Sequence, residues 1–573
     1  MKTDAVRLAV RRRSYGLADV AVFLGTLALL AVIARVGAGT FVAFGPTHQL
    51  TAISLDAHNL PYYAGRSVLR MFVALAASFA FTFAYGYAAA RSRLAERVLI
   101  PLLDVLQSVP VLGFLSITVT GFIALFPGSL LGLECASIFA IFTAQAWNMT
   151  FSFYQSLRTL PMDLEEASEA YRLSHWQRFR VLEVPAGMIP LVWNAMMSFG
   201  GGWFFLAASE AISVLNQSYA LPGIGSYVAV AVAKQDLGAL GWAVLTMAIV
   251  IVAIDQVFWR PLVAWSDRFR LDQTTAAYAS RSWVYDLLRA SRLRLRLRAA
   301  LQPLLDGVDR ALARLTPVRS GTAVEHRPAF DTGFTLVLLV VVVALIALGL
   351  HFILTTVGFG EVGRVVQLGL LTLVRVLVLL VFASVVWTPI GVAIGFHPRL
   401  AQSLQPIALF LASFPANFVF PFATLAFIRL HVPINAGSVL LMALGAQWYI
   451  LFNTVAGAAS LPTDLREMAD DIGLHGWNRW RRLVLPGIFS AWVTGAITAS
   501  GGAWNASIVS EVVSWGSTTL TANGLGAYIA DATGKGDWPR ITLGVGTMSL
   551  YVVGVNRLVW RRLYALAQRK YRL

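Results

Sequence analysis

The sequence predicts an all-α membrane protein that crosses the bilayer many times and is built from two parallel six-helix repeats. Of its 573 residues, 57% are hydrophobic and 13% are charged, which is more apolar side chain than a soluble protein of this length could bury. An apolar stretch of about 20 residues can cross roughly 30 Å of hydrocarbon as a helix. About twelve such stretches are present, at 17–36, 66–90, 105–126, 135–156, 187–213, 240–262, 332–356, 366–395, 408–428, 436–457, 488–513 and 541–562.

The second half of the chain repeats the first half at a nearly constant spacing. Trp203 and Trp504 are 301 residues apart, whereas Arg70 and Arg375 are 305 residues apart. Six spans return a chain to the side from which it started, so both repeats have the same orientation. We therefore predict a first repeat with a basic tail at 1–262, a linker at 263–329 and a second repeat at 330–573.

The net charge of +16 is explained by membrane orientation and does not require a nucleic-acid partner. Basic residues cluster before the first span, between 289 and 298, and after the last span, and such clusters favour the cytoplasmic side. Both termini and the linker are therefore predicted to be cytoplasmic, and no cleavable signal peptide is expected. Leucines at 297–315 indicate an amphipathic linker helix, interrupted near Pro303, which lies on lipid or serves as a solvated tether.

Two polar islands interrupt the apolar pattern after the fourth span of each half. Each predicts a short amphipathic helix, over 163–182 and 464–483, with acidic residues in the first turn and basic residues near the end. Two copies at matched positions favour docking of a soluble partner over a helix that only lies on lipid. The matched residues are Glu166, Ala167, Ser168, Arg172 and Pro185 in the first island, and Glu467, Ala469, Gly473 and Pro486 in the second.

The islands resemble the Glu-Ala-Ala…Gly…Leu-Pro signature of permease subunits of ATP-binding cassette importers, whose fold is called type I or MetI-like. This resemblance implies that the matched residues of both islands form coupling helices that dock on two ATPase subunits. Arg172 stands where the family has Gly, and Gly readily adopts a positive φ that Arg adopts reluctantly. The first loop is therefore expected to differ from the second, either in its turn or in its contact with the ATPase.

A narrower resemblance is to the nitrate/taurine/sulfonate branch of these permeases. It is carried by the Arg-containing second span, by the Pro-Leu-Leu-Asp-x-Leu-Gln-Ser-x-Pro run from Pro101 to Pro110, by the Trp…Glu span and by the Gly-Leu-Gly-like segment. The branch implies a small solute, either an organic or an inorganic anion. It also implies a periplasmic or extracellular substrate-binding protein and a location in the bacterial inner membrane.

The chain has no sequence pattern for nucleotide or metal chemistry. A Gly-x4-Gly-Lys-Ser/Thr phosphate loop is missing, so ATP and Mg are expected on the partner ATPase subunits and the chain itself is not an enzyme. No Cys/His cluster has zinc-ligand spacing, and the lone Cys135 excludes an internal disulfide. Two other functions stay open: a fused ferric-iron or polyamine permease, and a 6+6 secondary carrier.

Duplicated polar and aromatic residues inside the spans are the candidates for a translocation pathway. Polar groups in hydrocarbon are costly, so they face the bundle interior or a cavity. For the charged residues we favour ion pairs that hold helices together, such as Arg70–Glu210 and Arg375–Glu511. For the tryptophans we favour a pathway lined by the fifth spans, where the glycine pairs at 200–201 and 501–502 permit close approach or bending. The candidates are Arg70, Gln145, Trp203 and Glu210 in the first half and Arg375, Gln447, Trp504 and Glu511 in the second.

Overall fold

The computed structural model describes residues 16–40, 42, 52–214, 217–269, 282–315 and 328–570. Helices account for almost all of the regular structure in these ranges, which confirms the predicted all-α membrane fold. Two small hairpins are the exception, and the sequence analysis did not predict them.

The first half contains eleven α-helices and one hairpin in the described ranges. The helices are α1 (Leu17–Ala38), α2 (Leu60–Arg91), α3 (Arg93–Ser108), α4 (Leu115–Leu125), α5 (Leu131–Arg158), α6 (Met162–Ala170), α7 (His175–Arg178), α8 (Val184–Glu210), α9 (Ile224–Ala233), α10 (Leu237–Ile254) and α11 (Arg260–Ser266). The hairpin pairs β1 (Ala211–Val214) with β2 (Gln217–Ala220) in antiparallel register.

The rest of the chain begins with two linker helices, α12 (Trp283–Ala290) and α13 (Leu293–Leu315). The second half then follows the order of the first. Its helices are α14 (Pro328–Thr356), α15 (Phe359–Phe396), α16 (Pro398–Ser413), α17 (Phe420–Leu430), α18 (Ile434–Ala459), α19 (Thr463–Asp471), α20 (Gly476–Arg479), α21 (Leu485–Ser510), α22 (Leu525–Lys535), α23 (Trp538–Val555) and α24 (Arg561–Lys570). Its hairpin pairs β3 (Val512–Trp515) with β4 (Thr518–Thr521).

The number of spanning helices is smaller than the predicted twelve. Within the described ranges, nine helices are long and apolar enough to cross a membrane, and a bent pair would make ten. The predicted span at 105–126 is this pair: its two helices, Arg93–Gln107 and Val111–Leu125, meet at 89°. The predicted span at 408–428 is likewise divided between α16 and α17. Pro110 and Pro415 explain both breaks, because proline disfavours helical geometry at the residue before it and lacks an N–H.

The predicted fourth span, 135–156, does lie within a single helix. α5 has 28 residues, which is long enough to cross the bilayer. It is absent from the apolar set, because Glu134, Gln145 and Asn148 lower its hydropathy.

Three long helices form the centre of each half. α5 packs between α2 and α8 in the first half, and α18 packs between α15 and α21 in the second. α1 and α14 lie at the periphery, where only 6% of the most apolar window of α1 and none of that of α14 is buried. Such exposure is what lipid contact requires of an outer helix.

The two halves exchange parts of their cores. Trp515 of the second-half hairpin and Phe418 lie in the apolar core of the first half, whereas Leu221 and Val111 lie in that of the second. A backbone hydrogen bond from Gly516 N–H to the Val232 carbonyl, 3.0 Å long, joins the β3–β4 turn to α9. The halves therefore form one continuous packed unit.

The predicted linker helix is present as α13. It runs from Leu293 to Leu315 and continues through Pro303, so the predicted interruption there was wrong. Leu301, Leu304, Leu305 and Val308 form one exposed face of this helix.

Candidate functional site

A buried glutamate ends α8 and joins three helices of the first half. Glu210 is fully buried. Its Oε1 accepts hydrogen bonds from Arg70 Nη1 and Ser67 Oγ of α2, both 2.6 Å long, and its Oε2 accepts one of 2.7 Å from the Gly225 N–H. The carboxylate thus lies at the N-terminus of α9, where the helix dipole favours negative charge.

The second half contains the matching arrangement. Glu511 Oε1 accepts from Arg375 Nη1 and Thr372 Oγ1, both at 2.8 Å, and its Oε2 accepts from the Ala527 N–H at 3.1 Å. Both ion pairs that the sequence analysis favoured, Arg70–Glu210 and Arg375–Glu511, are therefore present.

These carboxylates explain why two matched segments, Gly223-Ile224-Gly225 and Gly524-Leu525-Gly526, each begin with glycine. A Cβ at Gly223 would lie 2.3 Å from the Glu210 carboxylate, and one at Gly524 would lie 2.2 Å from that of Glu511. Real Cβ atoms do not approach other atoms so closely, so each carboxylate reaches its helix only because the side chain is hydrogen.

The first half has a second buried ion pair that the sequence analysis missed. Glu134 of α5 accepts from Arg70 Nε at 2.6 Å and from Arg70 Nη2 at 2.7 Å, and it also pairs with Arg66. Arg66 in turn donates to the Val36 carbonyl of α1 at 2.8 Å. The repeat spacing places Asn435 and Leu371 at the positions of Glu134 and Arg66.

These replacements leave the buried cluster electrically balanced in both halves. The second-half cluster lacks one acid and one base relative to that of the first, and Asn435 Oδ1 accepts from Arg375 Nη2 at 2.7 Å where Glu134 contacts Arg70. A search for positions where an acid and a base of one half are both replaced by uncharged residues in the other half could have revealed this cluster.

A central cavity of about 280 Å³ lies between the two halves. Both predicted glycine pairs, at 200–201 and 501–502, line it. Within the described ranges its lining contains no charged side chain. Its uncharged polar side chains are Gln107, Thr143, Trp147, Asn148, Tyr449, Thr498, Ser500, Asn505, Asn556 and Trp560. The buried indole N–H groups of Trp147 and Trp560 have no hydrogen-bond partner in the described part of the chain.

The eight candidate pathway residues lie outside the lining of this cavity. The four charged residues are held in the buried pairs described above. Gln145 is buried beside Ser78, and Gln447 Oε1 accepts from Trp387 Nε1 at 2.9 Å.

The two candidate tryptophans are also buried. Trp203 borders a separate crevice of about 730 Å³. Trp504 stacks on Tyr551, with ring centroids 6.0 Å apart. The structure thus brings neither tryptophan to the central cavity.

Each of the two polar loops contains the same type of backbone turn. After α6, the N–H of Arg172 donates to the Glu169 carbonyl and that of Leu173 donates to the Ser168 carbonyl. After α19, Gly473 and Leu474 make the same two bonds, to Asp470 and Ala469. This pattern is the Schellman motif that ends many helices.

The expectation of a different turn in the first loop was wrong. Arg172 has φ of 48° and Gly473 has φ of 69°, so both adopt the left-handed conformation. The single continuous helices predicted over 163–182 and 464–483 are instead divided by this turn. In each loop the helix after the turn continues through a π-helical segment into the next spanning helix.

Different contacts hold the two loops to their spanning helices. In the first loop, Glu183 is buried and pairs with Arg91 and with Arg178, and Arg178 also pairs with Glu165. At the matching positions of the second loop, Val484 lies in an apolar cluster that Phe396 also contacts. The guanidinium of Arg466 lies 5.2 Å from the centre of the Phe396 ring. The first loop is thus held by ion pairs, whereas the second is held by apolar packing and a cation–π contact.

Replacing Arg172 with Gly is expected to stabilise the first loop by about 1 kcal/mol, because Gly adopts a positive φ without a Cβ clash. Gly473→Arg should destabilise the second loop by a similar amount, since nothing within 4 Å of a Cβ there adds a steric effect. Hydrogen exchange of the loop amides measures both changes. Equal exchange in Arg172→Gly and the parent chain would show that the left-handed Arg carries no strain.

Two repeats of membrane helices around one shared cavity, each with a matched polar loop, define a duplicated multi-pass membrane transport protein. The chain belongs to the family described as the binding-protein-dependent transport system inner membrane component, which it matches twice, at residues 80–258 and 387–572. It is thus a fused permease with two MetI-like domains, and this confirms the predicted resemblance.

Known relatives include permeases for several small solutes. The nitrate import permease protein NrtB of Leptolyngbya laminosa is 27% identical over 188 residues, which are 33% of this chain and 64% of that protein. The bicarbonate transport system permease protein CmpB of Synechococcus elongatus is 27% identical over 179 residues, 31% of this chain and 60% of that protein. The riboflavin transport system permease protein RibX of Chloroflexus aurantiacus is 34% identical over 176 residues, 28% of this chain and 59% of that protein.

The chain spans less than two thirds of the length of these relatives. The nitrate and bicarbonate permeases confirm the predicted likeness to the nitrate/taurine/sulfonate branch. As permeases, these relatives are membrane subunits of transporters and not enzymes.

Proposed function

We propose that this chain is the transmembrane permease subunit of an ATP-driven importer for a small solute of the nitrate or bicarbonate class. The observation that carries the proposal is the pair of loops with the same Schellman turn, placed after the same helix in both halves of a duplicated permease. One chain then supplies both transmembrane domains.

The central cavity is the proposed site of solute passage. Its lining offers uncharged hydrogen-bond donors from both halves, among them Asn148, Asn505 and Asn556. A conducting site must bind its solute strongly enough to admit it and weakly enough to release it. Amide and indole N–H groups satisfy an oxyanion in this way without the strong attraction of a fixed positive charge.

The two loops are the proposed docking sites for two ATPase subunits, which bind ATP and Mg. Large apolar side chains are exposed on both loops: Met162 and Tyr171 on the first, and Met468, Ile472 and Trp477 on the second. Short helices with exposed apolar side chains suit a groove on a soluble partner. Closure of the ATPases on ATP would then move the two halves of the permease relative to each other.

The same proposal fixes the orientation of the chain. The loops, both termini and the linker face the cytoplasm of a bacterial inner membrane, in agreement with their basic residues. A substrate-binding protein delivers the solute on the opposite side.

Reversing charge on both loops is expected to abolish ATPase binding. Glu166 and Glu467 are exposed on α6 and α19, so Glu166→Arg with Glu467→Arg changes the docking surfaces without altering the core. Each single reversal should leave about one ATPase per chain, and the double reversal about none, measured by co-purification with the cassette ATPase.

Asp531→Arg is the charge-matched control, because Asp531 is an exposed acid outside both loops. It should retain two ATPase subunits per chain. Full ATPase binding by the double variant would contradict the assignment of the loops as docking sites.

A further inference from the structure

The linker helix α13 contacts the first polar loop through one carboxylate. Trp176 Nε1 donates to Asp309 Oδ1 at 2.9 Å, and Arg180 forms an ion pair with the other oxygen of the same carboxylate. Trp176 belongs to α7, and Arg180 lies in the π-helical segment Phe179–Glu183 that joins α7 to α8. One acidic side chain of the linker therefore holds two residues at the end of the loop.

The start of α13 is fixed as well. Asp19 of α1 is 7% exposed, and its Oδ1 accepts from Ser291 Oγ at 2.9 Å and from the Arg292 N–H at 2.6 Å. α12 also packs on α1 and α11. The linker thus extends between two contacts, one on the N-terminal helix and one on the loop.

The second loop has no matching contact in the described part of the chain. Trp477 and Arg481 occupy the positions of Trp176 and Arg180 at the repeat spacing of 301. Trp477 is 70% exposed. In the described ranges, neither side chain makes a hydrogen bond or ion pair like those that Trp176 and Arg180 make with Asp309.

We infer that α13 is a built-in brace of the first loop and that Asp309 is its positioning residue. The brace holds the α7 end of the loop, whereas Met162 and Tyr171 at the α6 end stay exposed, at 74% and 80%. The linker therefore leaves the proposed docking surface open while it restricts the motion of the loop.

The consequence for docking rests on the proposed function. A preorganised loop loses less conformational entropy when it binds, so it binds more tightly than a mobile one with the same contacts. The two ATPase sites of one chain would thus be inequivalent, and the braced first loop would be occupied first.

The brace can be tested on the full chain alone, in lipid nanodiscs, by hydrogen exchange of the backbone amides at 174–183. Asp309→Ala removes both contacts, and Trp176→Phe removes only the indole hydrogen bond. We expect exchange in this segment to rise about tenfold in Asp309→Ala and less in Trp176→Phe, because Asp309 and Arg180 are 27% and 54% exposed and partly screened.

Three further variants make the result specific. Asp309→Glu, which retains the carboxylate, should restore slow exchange. Adding Trp176→Phe to Asp309→Ala should cause no further increase, since both remove the same contact. Trp477→Phe is the matched control and should leave exchange at 475–484 unchanged. Unchanged exchange at 174–183 in Asp309→Ala, or equal loosening of the second loop by Trp477→Phe, would overturn the brace.

A second measurement separates the brace from the docking proposal. ATPase titration of the full chain should show two affinities that differ by about tenfold and become equal in Asp309→Ala. If exchange responds as expected and no ATPase binds, the docking function fails and the brace stands. If ATPase binds with one affinity in both chains and exchange does not respond, the brace fails and docking stands.

Discussion

Glu511→Gln is expected to destabilise the protein by about 3–5 kcal/mol, and Glu210→Gln by less. Removing one partner of a buried ion pair leaves an uncompensated charge, which accounts for the size of the effect. Without Glu511, the acceptors that Arg375 keeps in the described part of the chain are uncharged: Asn435 and the Asn523 carbonyl. Without Glu210, Arg70 still pairs with Glu134 through Nε and Nη2.

The order of the two effects is the informative result. The thermal midpoints of both variants should be compared in one detergent at one scan rate, because unfolding of a membrane protein is often irreversible. Adding Arg375→Met to Glu511→Gln should recover part of the loss, since an apolar side chain no longer leaves a buried charge unpaired. Equal losses in the two single variants would show that Glu134 does not compensate for Glu210.

Gly501→Trp is expected to abolish solute uptake while the fold is retained. Gly501 lines the central cavity, and a Cβ at this position would have no neighbour within 4 Å. The side chain therefore starts in open space, and its indole extends into the proposed pathway. Uptake into proteoliposomes should fall by more than about tenfold, because a side chain in a narrow pathway is a steric barrier.

The control for this experiment is Gly241→Trp. Gly241 of α10 is exposed and also has no neighbour within 4 Å of a Cβ, but it does not line the cavity. Uptake should be unchanged in this variant. Normal uptake by Gly501→Trp, in a chain that still binds its ATPases, would exclude the central cavity as the pathway.

Sequence reasoning succeeded where the two halves carry the same residues. The Arg70–Glu210 and Arg375–Glu511 pairs followed from duplicated charges in apolar spans, because an intramembrane charge needs a partner. Glu134 and Arg66 were missed because their counterparts, Asn435 and Leu371, are uncharged. A search for shared residues cannot find a feature that only one half has.

Local backbone detail was also predicted poorly. An isolated Arg disfavours positive φ, but the two hydrogen bonds of the Schellman motif outweigh that cost at Arg172. Similarly, the apolar composition of 105–126 concealed the bend that Pro110 causes. The lining of the cavity could not be read from composition, because it depends on how the helices of both halves are rotated.

The exchange of core residues between the two halves constrains the order in which the protein folds. Trp515 completes the apolar core of the first half, yet it is synthesised 282 residues after Ala233, which ends α9, a first-half helix that packs on β3. The N-terminal half consequently emerges from the ribosome with an incomplete interior. Its helices must stay loosely associated in the membrane until the C-terminal half supplies the missing side chain, so neither half is an independent folding unit despite the duplication.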